Sequence, residues 1–426
     1  MNVRHRRSRS SISRFVSMAC LATFGALASA TTPGCSSDSS ATPGVVFTVS
    51  GEDVALSGFA FPPAASGEPA FVDGWEVRYE RLLVTVDSIT LSENPDTNPG
   101  DQSQTGKVVA KATGPWAIDL TKAGSDDPST IAVQGMAPFH APHLDVRHEG
   151  DQVLATPATG RGSHDDPAVR LVRIAAQNQN ADALFDTSVR YAVGYDVVRA
   201  TSGATKMNLD AAASADYDDM IAKGQSVLYV GTATFRGGAS CASSDPAYDF
   251  SKLPTVVKFR FGFATPTSYR NCQNTDLEGQ AFAGEEKQRG VQVKAGAATY
   301  VQLTLHTDHP FFDSVDHDAA TPNFDAIAAF AKEDGTVTLD DLAAADFTSF
   351  SDKAGRPLPW RSCIASKPPK AGTRRYDSGS VPFDKNGDPA SALRGYADFV
   401  SYVQSAQGHM NADGLCATSR QYPSPR

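Results

Sequence analysis

Seven of the nine histidines in this 426-residue chain fall into two short windows. The sharper window runs His306-Thr307-Asp308-His309-Pro310-Phe311-Phe312-Asp313-Ser314-Val315-Asp316-His317-Asp318. Neutral imidazole and carboxylate together suit Zn²⁺ or a similar divalent transition metal. His306, His309, Asp308, Asp313 and His317 are therefore the first candidate ligands. Asp313, Asp316 and Asp318 read either as ligands or as acceptors that fix an imidazole tautomer from behind. The alternative is an exposed acidic loop whose histidines bond to water and backbone, because His-x-x-His on a loop lacks the one-face geometry of a helical His-x-x-x-His. The other window holds His140, His143, His148 and His164, with Pro142 stiffening the backbone between the first two. His140, His143 and His148 form a second candidate metal set, against the usual fate of loop histidines, which is solvation.

The elements around these residues are mainly β. Val301, Leu303 and Leu305 alternate on one strand face and put His306 on the other, near the strand end. Pro310 then disfavours strand continuation, so His309 lies in a turn. Val77–Leu91 reads as a long strand whose alternation changes phase near Leu82-Leu83, the mark of a bulge or bend. Trp116–Leu120, Val189–Val197, Val227–Phe235 and Val257–Phe263 supply further strands, while Thr121–Pro167 reads as long loops. Strands with period two, Gly/Pro punctuation and no long intervening helices predict an antiparallel β-sandwich. After Thr321 the period changes. Phe324, Ile327 and Phe330 stand at helical spacing, Thr338 with Asp341 resembles a capping box, and Leu393, Tyr396, Val400 and Val403 mark a helix that Gly408 would stop. His409 follows that helix, where a cation suits the C-terminal end of the dipole; whether it also completes the His306 set in space is not legible in sequence. Asp384-Lys385-Asn386-Gly387-Asp388 imitates half a calcium loop but lacks the bidentate Glu, and reads as an Asx turn.

The N-terminus gives the address. Arg4–Arg14 is a basic segment and Phe15–Ala30 an apolar one too short for an ordinary spanning helix, ending in the small-x-small site Ala28-Ser29-Ala30. Thr32-Pro33-Gly34-Cys35 is similar to a bacterial lipobox, in which Cys35 is acylated, and Ser36–Pro43 is a polar tether. Ser36 after that cysteine points, by lipobox rules, to the outer membrane; the alternative is a periplasmic or secreted protein with a free Cys35. Residues 1–34 carry five arginines and no acid, so their removal leaves 33 basic against 48 acidic residues, a net charge of −15. That surface argues against a nucleic-acid partner. Export predicts two disulfides among Cys241, Cys272, Cys363 and Cys416. Proximity in sequence favours Cys241–Cys272 and Cys363–Cys416, although four cysteines allow three pairings.

Val84–Ile89 followed by Trp116–Leu120, with its Asp-Leu, resembles the strand pair of bacterial lipoproteins with a prealbumin-like β-sandwich. The likeness covers less than a quarter of the chain, and that family has no established activity to carry over. The chain divides into a signal (1–34), a tether (35–44), a β-rich part (45–200), a second β segment that shares the first sandwich or builds its own (201–320), and a helical and loop region (321–426). No Gly-x-Ser-x-Gly elbow, His-Glu-x-x-His, P-loop, dinucleotide fingerprint or haem-attachment motif is present. The expectation is an exported, lipid-anchored cell-surface binding protein held to the membrane by its N-terminal lipid, with one His/Asp metal site. The alternatives are a metal-dependent hydrolase of the envelope and a purely structural or adhesive protein.

Overall fold

The structure, a computed structural model, describes residues 44–64, 69–122, 144–146, 169–176, 185–186, 188–274, 277, 287–294, 298–317, 319–411 and 414–420. His140, His143, His148, Cys35 and the whole signal region lie outside the described residues. Among the described residues the fold is mainly β, with two large, mostly antiparallel sheets, four helices and two disulfides.

The smaller sheet has six strands, in the order Gly414–Leu415, Gly408–Met410, Ala298–Leu305, Gly44–Ser50, Val169–Ala176, Leu144–Val146. Its Gly44–Ser50 strand lies parallel to Ala298–Leu305 and antiparallel to Val169–Ala176. Val45, Val46, Phe47 and Val49 are all buried, so this central strand reads as an apolar run rather than an alternation. The larger sheet is built on Trp75–Ser92, flanked by Val227–Phe235 and Arg190–Val197. Its register shifts between Tyr79 and Arg81, close to the phase change in the sequence, and again between Asp87 and Thr90, where Ser88 takes φ 52°. Such bulges let one long strand bend and keep its apolar side chains on the core.

Phe47, Leu303 and Leu305 of the small sheet share one core with Val193, Tyr195, Tyr229, Phe259 and Phe261 of the large sheet. On the other face of the large sheet, helix Ala211–Lys223 covers Leu83 and Leu228 with Ala213, Tyr217 and Met220. Asp210 caps that helix by accepting from the Ala213 N–H, and Gly224 ends it at φ 64°. Both sheets take strands from residues 45–200, from 201–320 and from 408–420, so the segments that composition separates are interleaved in space.

The C-terminal region is less helical than its periodicity suggests. Phe324 and Ile327 bury themselves from a helix of only four residues, Asp325–Ala328. Asp341 accepts from the N–H and hydroxyl of Thr338, half of a capping box, but the turn it opens is the 3-10 segment Asp340–Leu342. Helix Tyr396–Gln404 forms and ends at Ser405, and Gly408 starts a strand rather than stopping the helix. The 384–388 segment is an exposed Asx turn, in which Asp384 accepts from the Asn386 N–H.

The disulfides join Cys241 to Cys363 and Cys272 to Cys416, against the pairing that proximity favoured. The reason is strand pairing. Ala242 lies opposite Ser362, which brings the adjacent Cys241 and Cys363 together, and Arg270 lies opposite Ala417 beside Cys272 and Cys416. Loops of 122 and 144 residues close this way because the sheet has already met the cost of bringing their ends together.

Candidate metal centre

Four histidines from separate elements converge at one edge of the small sheet. His306 directly follows strand Ala298–Leu305. His309 opens the 3-10 turn His309–Phe311, His317 lies on the following loop, and His409 is the middle residue of strand Gly408–Met410. The antiparallel register sets Thr304 opposite His409, and the His306 N–H extends that ladder by donating to the Gln407 carbonyl at 2.9 Å. Because side chains alternate, Leu303, Leu305 and Met410 enter the core while His306 and His409 share the opposite face. Phe311 is fully buried against Phe71, Phe259 and Phe324, which fixes the turn carrying His309.

One nitrogen from each of His306, His309, His317 and His409 lies within 4.8 Å of the other three, a grouping that could hold a metal ion. The His306 and His409 rings are only 4.0 Å apart between centroids, and His309 is 5.6 Å from His306. A tetrahedral ion with bonds of ~2.1 Å needs ~3.4 Å between donors, so small ring rotations close the set. His309 and His409 are buried, His306 is half-buried, and His317 is exposed. Both ring nitrogens of His309 and of His409 lack a hydrogen-bond partner. The Val403 carbonyl approaches His309 closely enough to soften its shift but falls short of a bond. Burial holds both imidazoles well below the usual histidine range, and the neighbouring histidines push the same way, His306 first. Both therefore present neutral lone pairs at neutral pH. A buried polar atom without a partner costs about 1–3 kcal/mol, and an ion bound by these nitrogens removes that cost.

The histidine-bearing backbone is pinned from the large sheet by the half-buried Tyr79 and the buried Tyr195, Tyr229 and Tyr269. Tyr79 donates to the Thr307 carbonyl at 2.7 Å, Tyr195 to the His409 carbonyl at 3.2 Å, Tyr269 to the Ser405 carbonyl at 2.8 Å, and Tyr229 to the Gln407 side-chain oxygen at 2.6 Å. Burial pushes the Tyr79, Tyr195 and Tyr229 hydroxyls well above the usual range, so they remain donors at every physiological pH.

The carboxylates predicted as ligands, Asp308 and Asp313, are not part of the four-histidine group. Asp313 accepts from the N–H and hydroxyl of Thr321, from the Asn323 amide and from Lys370 at 2.8–3.0 Å. It latches the loop that carries His317 rather than joining the four-histidine group. Asp308 also stands outside that group. Burial pushes its carboxyl up to about 6, with the Glu52 charge adding to the rise and His306 opposing it. Two residues of the site were not placed by the sequence: His409, named there as a helix cap with a place in the His306 set left open, and Glu52, which was missed. His409 arrives through a long-range strand pairing, which leaves no spacing signal, and its strand position replaces the helix-capping role expected for it. Glu52, from the short helix Glu52–Ser57, sets its carboxylate 3.4 Å from His306 Nε2 and likewise has no local signature.

No protein-family model matches the chain, and no curated protein or solved structure is significantly similar to it.

Proposed function

We propose that this is an exported, lipid-anchored protein of the bacterial cell envelope that binds one divalent transition metal ion through His306, His309, His317 and His409. The observation that carries the reading is the convergence of four imidazoles, two of them buried with no partner for either nitrogen. A solvated acidic loop would hold its histidines in water, not bury them neutral against one another. Imidazole donors without thiolate or a direct carboxylate suit Zn²⁺, Cu²⁺ or Ni²⁺ and disfavour Mg²⁺ and Ca²⁺. The two disulfides agree with an oxidising compartment. Cys35 behind its signal supplies the membrane tether, and acyl chains at that position give the affinity.

Away from the histidine group, a broad apolar core and two disulfides hold the sheets. The test is elemental analysis of the purified, metal-repleted protein beside the His306→Ala/His309→Ala double variant. One equivalent of metal, lost in the variant, is expected; no stoichiometric metal in the wild type overturns the metal reading. Mass analysis of the N-terminal peptide tests the anchor separately, with a diacylglycerol-modified Cys35 expected and an unmodified Cys35 overturning it.

A further inference from the structure

Glu52 is a carboxylate aimed at the four-histidine group from an element that carries none of the histidines. It opens helix Glu52–Ser57, directly after the strand that pairs in parallel with Ala298–Leu305. Its backbone sits at φ 62°, a left-handed conformation that residues other than glycine adopt at a cost and that gathers at functional sites. The Ser50 hydroxyl accepts the Glu52 N–H at 2.9 Å, and Gly51 precedes it where any Cβ would stand 2.6 Å from the Ala55 Cβ. The chain is thus built tightly at this bend, and the bend brings Glu52 Oε1 to 3.4 Å from His306 Nε2.

We propose that Glu52 is a positioning residue for the metal centre: it holds the Nε2 side of His306, leaves Nδ1 as the metal-facing donor, and sets one negative charge behind a ligand set of neutral imidazoles. The proposal rests on the four-histidine reading of the site. Carboxylates that hold a ligating imidazole from behind fix its tautomer and raise its basicity. A carboxylate charge behind the ligand set partly offsets the +2 of the ion inside a poorly solvated pocket, where uncompensated charge is expensive. Glu52 itself is not among the atoms that converge within ligand reach, which separates holding His306 from binding the ion.

The experiment is Zn²⁺ binding by competition with a chromophoric chelator, and Co²⁺ absorption spectra, on the full purified protein and on Glu52→Gln, Glu52→Ala and His409→Ala. Glu52→Gln keeps an oxygen for the His306 N–H and loses the charge; Glu52→Ala loses both. The expected result is one Zn²⁺ per chain in both Glu52 variants, with affinity lowered about 10–100-fold and the loss larger for Ala than for Gln. The Co²⁺ ligand-field bands shift in Glu52→Ala, a change that a merely structural residue would not produce, and binding is lost in His409→Ala. Wild-type affinity and spectrum in Glu52→Ala, with binding lost in His409→Ala, overturns the role of Glu52 and leaves the metal site standing. Loss of binding in Glu52→Gln as complete as in His409→Ala makes Glu52 a ligand, and also overturns the proposal. No binding by the wild type removes the metal reading itself.

Discussion

Two of the polar clusters buried among the described residues are built on opposite terms. One is the charged network of Asp73, Asp325, Arg361 and Arg374. Asp325 accepts from both guanidinium groups and from Trp75 Nε1 at 2.8 Å, and Asp73 accepts the N–H groups of Phe324 and Asp325, each at 2.8 Å. Arg361 lies over Phe235 and Phe250, and Arg374 over Trp360. The other is the histidine group, whose buried members point nitrogens at one another and bond to nothing. Each has its own disulfide. Cys363 donates no structure to the histidines but holds Val72 and Asp73, through its N–H to the Val72 carbonyl at 2.7 Å. Cys416 follows the Gly414–Leu415 strand that pairs with His409. The contrast separates architecture from site. A network that pairs most of its charges internally, with Asp73 Oδ1 left over, stitches the C-terminal loops to the sheets, whereas the buried histidines have no partner at either nitrogen.

The sharpest way to break this contrast is to remove one charge from the paired network. Asp325→Ala takes the carboxylate they share from two buried guanidinium groups, leaving Arg374 with Asp73 at 3.5 Å, and the expected loss is ~3–5 kcal/mol in denaturant unfolding. His409→Ala should instead cost little stability in the metal-free protein while weakening Zn²⁺ binding at least ~100-fold. A stability loss for His409→Ala as large as that for Asp325→Ala would make the two clusters alike.

The disulfides sharpen the same comparison. Opening either one by paired Cys→Ser substitution should cost ~2–4 kcal/mol. Only the Cys272–Cys416 variant should also weaken metal binding, because only that bridge tethers the strand pair holding His409. Equal metal affinity in both variants would argue against this division of labour.

The smallest effect is on pH. His309 and His409 have folded values below their unfolded value of ~6.5, so the unfolded chain binds more protons in that window. Their contribution is fully present above pH ~6.5 and is lost as pH falls toward the folded values. Asp73 has the opposite sign. Burial, followed by the Asp325 charge, raises it, so its contribution is present in acid and lost as pH rises through the folded value. Melting of the metal-free protein between pH 7.5 and 5.5 should therefore fall less steeply in His409→Phe than in the wild type, and more steeply in Asp73→Asn. The reverse order would show that burial does not set these protonation states.

Much of the scaffold was legible locally. Alternation at Val301, Leu303 and Leu305 placed His306 on the face away from the core, and Pro310 placed His309 in a turn. The phase change at Leu82-Leu83 marked a real irregularity near Tyr79–Arg81. The acids were less legible. Asp313 and Asp308 have metal-ligand spacing in sequence, yet Asp313 closes its own loop through Thr321 and Asn323, and short carboxylates in turns find backbone and hydroxyl donors before any ion.

By itself the sequence determined the β class, the four-cysteine set and three of the four histidines, because period-two burial, residue chemistry and close spacing are local properties. Only the tertiary structure decided the disulfide partners, the fourth histidine and the carboxylate behind His306. Each depends on which strand lies beside which: Ala242 against Ser362, Arg270 against Ala417, Thr304 against His409, and Val49 against Leu303. Strand register across hundreds of residues is set by the packing of the whole core, and no window of the chain contains it.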